Sequence, residues 1–301
     1  MLFGNEGFQK SFLSDALQFA EENNFMLLYG ALVGGISKGL QYEDSDYDTR
    51  FLYVNRNDPE KIYVPFYEKE KDLKHRVYFD NLPYEFIPLW EFTSFMQFLH
   101  TPAFDGKESC GLYNIIGWTL QSPYTWDPYG IQMKIIPIMN SVFRKEKFIP
   151  YHVDQIKEYF SSDSQVIIKD YLYAIYAALS IKWAIERETF PPVYMKSLVM
   201  EIAPLALKSK ILDMIDLSKR LSAEYLHQGE ESAGKLQESH YIGNIAHDAE
   251  IDAFVNEMSV EAENIIPRQI DEGCINTAIE VIYELVRYSV QDETKVRGVN
   301  V

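Results

Sequence analysis

Two short apolar runs, FMLLYGALV at 25–33 and YDTRFLYV at 47–54, frame a polar segment that opens with Gly34-Gly35 and carries Asp44, Asp46 and Asp48. Both runs have strand length, and the second is rich in Tyr, Phe and Val. The first carries no polar residue on either face, as a strand buried on two faces would. The chain must therefore fold as a strand, a glycine-led connection and a second strand. The acids in the connection need a reason. At an effective dielectric near 20, two unit charges about 4 Å apart repel by roughly 4 kcal/mol. A solvated turn is the plain explanation, since Asp and Ser favour turns. The spacing offers another. Asp46 and Asp48 fall on the first residues of the second strand, where side chains at i and i+2 share a face about 6–7 Å apart. That separation suits two divalent ions about 3.5–4 Å apart that share carboxylate ligands. Asp44 belongs to the loop and need not join them.

The flanking sequence predicts an amphipathic helix over 5–23. After the second strand comes a polar excursion, EKEKDLKHR at 68–76, which reads as a solvated loop. VYFD and YEFIPL then read as strands joined by the turn residues NLP. Helical patterns follow at WEFTSFMQFLH, at about 105–117 and at about 129–145. Strand signals stop near residue 125, which places a domain boundary there. Beyond it, SSDSQVIIKDYLYAIYAALSIKWAIERE reads as one helix with a Ser/Asp N-cap, ended by Pro191-Pro192. Further amphipathic patterns cover about 196–208, 209–227, 247–263 and 272–290, enough for a helical bundle.

Composition narrows the function classes. A chain of 301 residues with 47% hydrophobic and 14% aromatic content can build a large core, which excludes a disordered chain. A net charge of −17 disfavours an open surface for long duplex nucleic acid, whose affinity comes mostly from Lys and Arg. Cys110 and Cys274 are too few for a disulfide scaffold or a thiolate zinc site, which points to a reducing cytoplasm. MLFGNEGFQKSF carries neither a charged nor an apolar signal region. The apolar stretch 171–185 is short for a bilayer and holds Lys182, so a soluble protein with no membrane partner is expected. Six histidines are scattered through the chain; His240 and His247, near Asp248, show no metal-binding spacing and read as solvated surface residues.

The motif itself, VGG followed by ten residues and then DYDT, resembles the signature of the nucleotidyltransferase superfamily that includes DNA polymerase beta. The longer GGISKGLQYEDSDYDTRFLYV is similar to one branch, the predicted nucleotidyltransferases associated with RNA repair, matching it at Gly39-Leu40 and at Asp44-Ser45-Asp46-Tyr47-Asp48. QSPYTW at 121–126 and KDYLYAIYAALSIKWAIERETFPP at 169–192 resemble later segments of that branch. The resemblance implies an α+β chain. Residues 1–125 would be a nucleotidyltransferase domain with a mixed sheet flanked by helices, and 126–301 an all-helical domain that binds substrate or nucleotide.

It also implies a chemistry. Asp46 and Asp48 would hold Mg²⁺ or Mn²⁺, with a third carboxylate from a later strand. Glu85 is the positional candidate and Asp80 its competitor. Gly34 and Gly35 would let the backbone approach a triphosphate. Ser37 and Lys38 are the candidates to replace a hydroxyl lost where that branch has Ser and this chain has Gly35, although a solvated loop lysine accounts for Lys38 equally well. Lys169 stands where relatives offer a basic residue to the triphosphate. Lys182 is either substrate-facing or snorkelling. The reaction implied moves a nucleoside monophosphate from a nucleoside triphosphate such as ATP to a hydroxyl of an RNA end, a small molecule or a protein. The alternative is a degenerate relative that binds a nucleotide or a partner without turnover.

Overall fold

The computed structural model describes residues 6–41, 45, 48–55, 76–77, 87–96, 99, 107–160, 165–229, 243–266 and 271–296. In the first part lie α1 (Glu6–Glu22), β1 (Phe25–Leu32), α2 (Gly34–Lys38), β2 (Thr49–Asn55), β3 (Arg76–Val77), β4 (Ile87–Glu91), α3 (Phe92–Met96), α4 (Lys107–Leu120) and β5 (Thr125–Trp126). The second part adds α5 (Ile131–Ser141), α6 (Lys145–Tyr159), β6 (Gln165–Ile167), α7 (Ile168–Arg187), α8 (Met195–Ile202), α9 (Leu205–Gly229), β7 (Asn244–Ala246), α10 (Ala249–Glu263) and α11 (Glu272–Val296). The architecture is mixed and mostly helical, with a small sheet.

The main sheet has the order β3-β4-β2-β1-β5. The two apolar runs pair antiparallel as β1 and β2, with Gly30 opposite Phe51 and Leu32 opposite Thr49. A register shift between Leu27 and Tyr29 lets Leu28 and Tyr29 both be fully buried. The strand period then sorts β2 by face. Phe51 and Tyr53 pack with Ala16 and Ala20 of α1 in one small cluster, whereas Leu52 and Val54 join the large core shared with the later helices. By the same alternation Asp48 and Arg50 belong to the helical side. α4 is fastened to β1 from that side: Tyr29 OH donates to Thr119 O (3.0 Å) and Ser122 Oγ to Leu32 O (2.6 Å). The large core runs without a break from Leu28 and Leu52 to Ile282 of α11, with α7 at its centre. Each large side chain that α7 fully buries contributes about 1.5–3 kcal/mol.

Several expectations need correction. The connection after β1 starts with the short helix α2, not with an open loop. Asp48 stands one residue before β2, not within it. The second half is not all-helical, because Gln165–Ile167 pair antiparallel with Asn244–Ala246. For that reason α7 begins at Ile168, with Ile167 as an extended N-cap that makes no side-chain cap bond. It stops at Glu188 (φ 50°), before the proline pair. The 129–145 pattern is α5, which ends at Ser141, and α6, which begins at Lys145, was not expected. The break between α8 and α9 falls at Ala203-Pro204, where the residue before proline takes ψ 144°, and not at 208/209. The excursion at 68–75 and the NLP turn lie outside the described residues. No helix among the described residues is long and apolar enough to cross a membrane.

Gly30 tests the pairing of β1 and β2. A Cβ there would sit 2.6 Å from Cε1 of the buried Phe51 ring, so Gly30→Ala is expected to cost about 1–3 kcal/mol in urea unfolding. Adding Phe51→Leu should recover part of that loss. An unchanged midpoint for Gly30→Ala would contradict this strand spacing.

Candidate functional site

The site is built where β1 hands over to α2. Val33 is extended, its N–H donates to Asp48 O (2.8 Å), and Gly34 then takes φ +67°. Only glycine adopts that conformation readily. A side chain is excluded for a second reason. A Cβ on Gly34 would lie 2.1 Å from Asp48 Oδ2, so the carboxylate occupies the space a side chain would need. Gly39 closes the helix at φ +73°, with its own N–H bonded to Ile36 O and that of Leu40 to Gly35 O. Ser37 is buried, and its hydroxyl donates to Gly34 O (3.0 Å). Asp48 itself is exposed.

Lys38 is not a solvated loop lysine. Its ammonium sits 5.2 Å from the ring centroid of Trp118, 5.0 Å from that of Tyr173 and 5.4 Å from that of Tyr176, a cage held by cation–π attraction. Burial pulls its pKa down to about 8; Arg50 adds to the shift and Asp48 opposes it. Arg50 is half-buried, with Nη1 donating to Thr119 Oγ1 (3.3 Å). Burial lowers Arg50 to about 10, against the pull of Asp48 and Tyr151. Behind Lys38, His152 is 1% exposed and packs against Trp118, Phe148, Tyr151 and Tyr176. Burial first and the Lys38 charge second drop its pKa to about 3, so it is neutral at physiological pH. Tyr151 is pushed up to about 12, chiefly by burial. Among the described residues Trp118 Nε1 and His152 Nε2 are buried with no hydrogen-bond partner, while Tyr176 OH has the Ser180 hydroxyl beside it.

Of the residues the sequence singled out, Gly34, Gly35, Ser37, Lys38 and Asp48 come together here. Lys169 is the second residue of α7, one turn before Tyr173 and on the same helix face as Tyr173 and Tyr176. Asp44, Asp46, Asp80 and Glu85 lie outside the described residues. Lys182 pairs with Glu186 on its own helix. His247, expected on a solvated surface, is instead half-buried with Nδ1 3.1 Å from Asp252, a carboxylate that also accepts from Tyr171 OH. His240 lies outside the described residues. Arg50, Trp118, Tyr151, His152, Tyr173 and Tyr176 were not foreseen as site residues. Arg50 had a signal, two residues beyond Asp48 and so on the same strand face.

His152 makes stability depend on pH. In the unfolded chain it titrates near 6.5, in the folded chain near 3. Between these values the unfolded state binds the extra proton, so stability is full above about pH 6.5 and falls as the pH drops towards 3, by up to about 1.4 kcal/mol per unit. Urea unfolding of the wild type and of His152→Phe at pH 7 and 5 should show the wild type losing more on acidification. An equal loss would contradict a buried neutral imidazole.

Residues 10–103 match the model of the RNA repair pathway DNA polymerase beta family (RlaP). The chain is also 23% identical over 217 residues to the uncharacterized protein YcgL of Bacillus subtilis (strain 168), covering 70% of this chain and 77% of that protein. No solved structure matches it. The family match takes in Gly34, Lys38, Asp48 and Arg50 and ends before Trp118, His152 and the α7 tyrosines. The resemblance read from the glycine and aspartate motif thus holds for the segment that carries it: over residues 10–103 the chain is similar to the DNA polymerase beta-like nucleotidyltransferases of the RNA repair pathway family.

Proposed function

We propose that this chain is a divalent-metal-dependent nucleotidyltransferase, with residues 1–125 as its catalytic part and 126–301 as the helical part that closes on the substrate. The acceptor hydroxyl, on an RNA end, a small molecule or a protein, attacks the α-phosphorus of a nucleoside triphosphate. The bond from the α-phosphorus to the bridging oxygen breaks, pyrophosphate leaves and the hydroxyl proton passes to solvent. One observation carries this reading: the exposed Asp48 carboxylate rests against the bare backbone of Gly34, with Lys38 and Arg50 behind it.

The donor set fits Mg²⁺ or Mn²⁺, both of which favour carboxylate oxygen. Asp48 is an accessible carboxylate with no side chain facing it at Gly34. Asp46 precedes it by two residues, and Glu85 or Asp80 would complete the set. When bound, a divalent cation neutralises the polyphosphate and lowers the pKa of the attacking hydroxyl. The chain's own residues do the rest. Gly34 and Gly35 present backbone without side chains to the phosphates. Lys38 and Arg50 place positive charge on the inner wall, where charge develops on the leaving group. Lys169 would approach from α7.

A second reading, a binding protein without turnover, draws on Gly35 in place of serine and on the Ser37 hydroxyl, which is committed to Gly34 O. The two separate in one assay. The protein is incubated with Mg²⁺ or Mn²⁺, each labelled nucleoside triphosphate and a pool of RNA, and the molecule that gains label is identified. Label is expected on an acceptor. Asp46→Asn and Asp48→Asn should each lower transfer by at least about a hundredfold at unchanged melting temperature. Wild-type rates in either variant would defeat the metal assignment, and nucleotide binding without transfer would favour the second reading.

A further inference from the structure

The two glycines that follow Val33 are not alike. Gly34 is explained by its φ of +67° and by the Asp48 carboxylate in the space of its missing side chain. Gly35 has neither reason. It lies inside α2 and does not take the left-handed conformation. A Cβ built on it would meet nothing closer than 3.5 Å, with Leu40 O at 3.9 Å and Gln41 N at 4.0 Å. Those are ordinary van der Waals distances, so a small side chain fits. Glycine inside a helix is destabilising relative to alanine, and neither backbone nor packing offsets that here. The atom at 3.5 Å is the hydroxyl oxygen of Tyr173.

Tyr173 is a half-buried residue of α7. Its ring is held by two neighbours: Lys38 Nζ stands 5.0 Å from its centroid and the Tyr159 ring 5.4 Å. A phenol is rigid beyond its two side-chain torsions, so a fixed ring fixes the hydroxyl. Here it is fixed beside the space over Gly35. The two residues that the sequence offered in place of a hydroxyl at position 35 are used otherwise. Ser37 donates to Gly34 O (3.0 Å), and the Lys38 ammonium lies among its three rings.

We propose that the Tyr173 hydroxyl hydrogen-bonds the nucleotide that lies on the Gly34–Gly35 backbone, so that α7 supplies the side-chain hydroxyl that position 35 lacks. The inference deepens the nucleotidyl-transfer reading and rests on it for the identity of the ligand. A phenol O–H is a donor, and a phosphate oxygen is an acceptor that strengthens the bond by its charge. Tyr173 lies outside residues 10–103, the segment that matches the family. The contact therefore makes nucleotide binding depend on how α7 is docked against the end of β1, and a bound nucleotide in turn ties the helical part to the strands.

The test measures affinity of the full-length protein for a non-hydrolysable analogue of each nucleoside triphosphate in Mg²⁺ by calorimetry, together with the melting temperature without nucleotide. Tyr173→Phe keeps the ring beside Lys38 and removes only the O–H. It should weaken binding at least about tenfold and leave the nucleotide-free melting temperature unchanged. Gly35→Ser added to Tyr173→Phe should restore most of the lost affinity, because it returns a hydroxyl to the same space from the other side. Gly35→Ala added to Tyr173→Phe should restore none, which separates the hydroxyl from the loss of a helix glycine. Wild-type affinity in Tyr173→Phe overturns the proposal, as does equal recovery by serine and alanine. A lower melting temperature in Tyr173→Phe with no recovery by serine makes the residue structural and also overturns it. The two readings fail separately. Transfer at wild-type affinity and rate in Tyr173→Phe removes the role of Tyr173 and leaves the transferase, whereas nucleotide binding that is weakened by Tyr173→Phe and rescued by Gly35→Ser, with no transfer to any acceptor, does the reverse. A wild type that binds no nucleotide removes both.

Discussion

Asp48 lies where a side chain on Gly34 would otherwise be. This single exclusion fixes most of the neighbourhood. The bare Cα lets the chain turn at φ +67° directly out of β1, and the bond from Val33 N–H to Asp48 O ties that turn to the start of β2. The short helix that follows can then carry Lys38 inward, and the strand that follows Asp48 can carry Arg50 to the same side. A bulkier residue at Gly34 would displace the carboxylate and strain the turn together, so the two features cannot be separated.

The electrostatics follow from that placement. Burial weakens the charges of both Lys38 and Arg50, and Arg50 weakens that of Lys38 further. The aromatic faces of Trp118, Tyr173 and Tyr176 offset part of the cost for Lys38. Asp48 offsets another part from the exposed side. Helices α4, α6 and α7 each contribute a ring to the cluster around Lys38, so the site is closed by elements that follow residue 103 as well as by those before it. Its charge is opposite in sign to that of the chain as a whole, which makes it a local attractor for anions in an otherwise repulsive field.

Much of this was legible in the sequence, and what was missed has physical causes. The strands and the glycine-aspartate connection stood out because apolar runs of strand length with glycine between them admit few other structures. The pairing of Gln165–Ile167 with Asn244–Ala246 did not, because a three-residue strand beside a long apolar helix has no period of its own to show. Helix α6 was hidden by its opening, Lys145-Glu146-Lys147 and then Pro150, which reads as a polar connection. Its burial of Glu146, Lys147 and His152 depends on tertiary partners far along the chain. Missing α6 meant missing Tyr151 and His152. Arg50 could have been found, since strand alternation places it with Asp48. Trp118 could not, because its role depends on how α4 docks on β1.

The central claim is that Asp48, set against Gly34, grips a divalent cation together with a polyphosphate. The most direct measurement is the binding of Mn²⁺ by electron paramagnetic resonance, with and without a non-hydrolysable nucleoside triphosphate, in wild type and in Asp48→Asn. The account predicts Mn²⁺ that binds wild type more tightly when the nucleotide is present, and the loss of that nucleotide-linked binding in Asp48→Asn. Equal Mn²⁺ binding by the two proteins, with and without nucleotide, would contradict it.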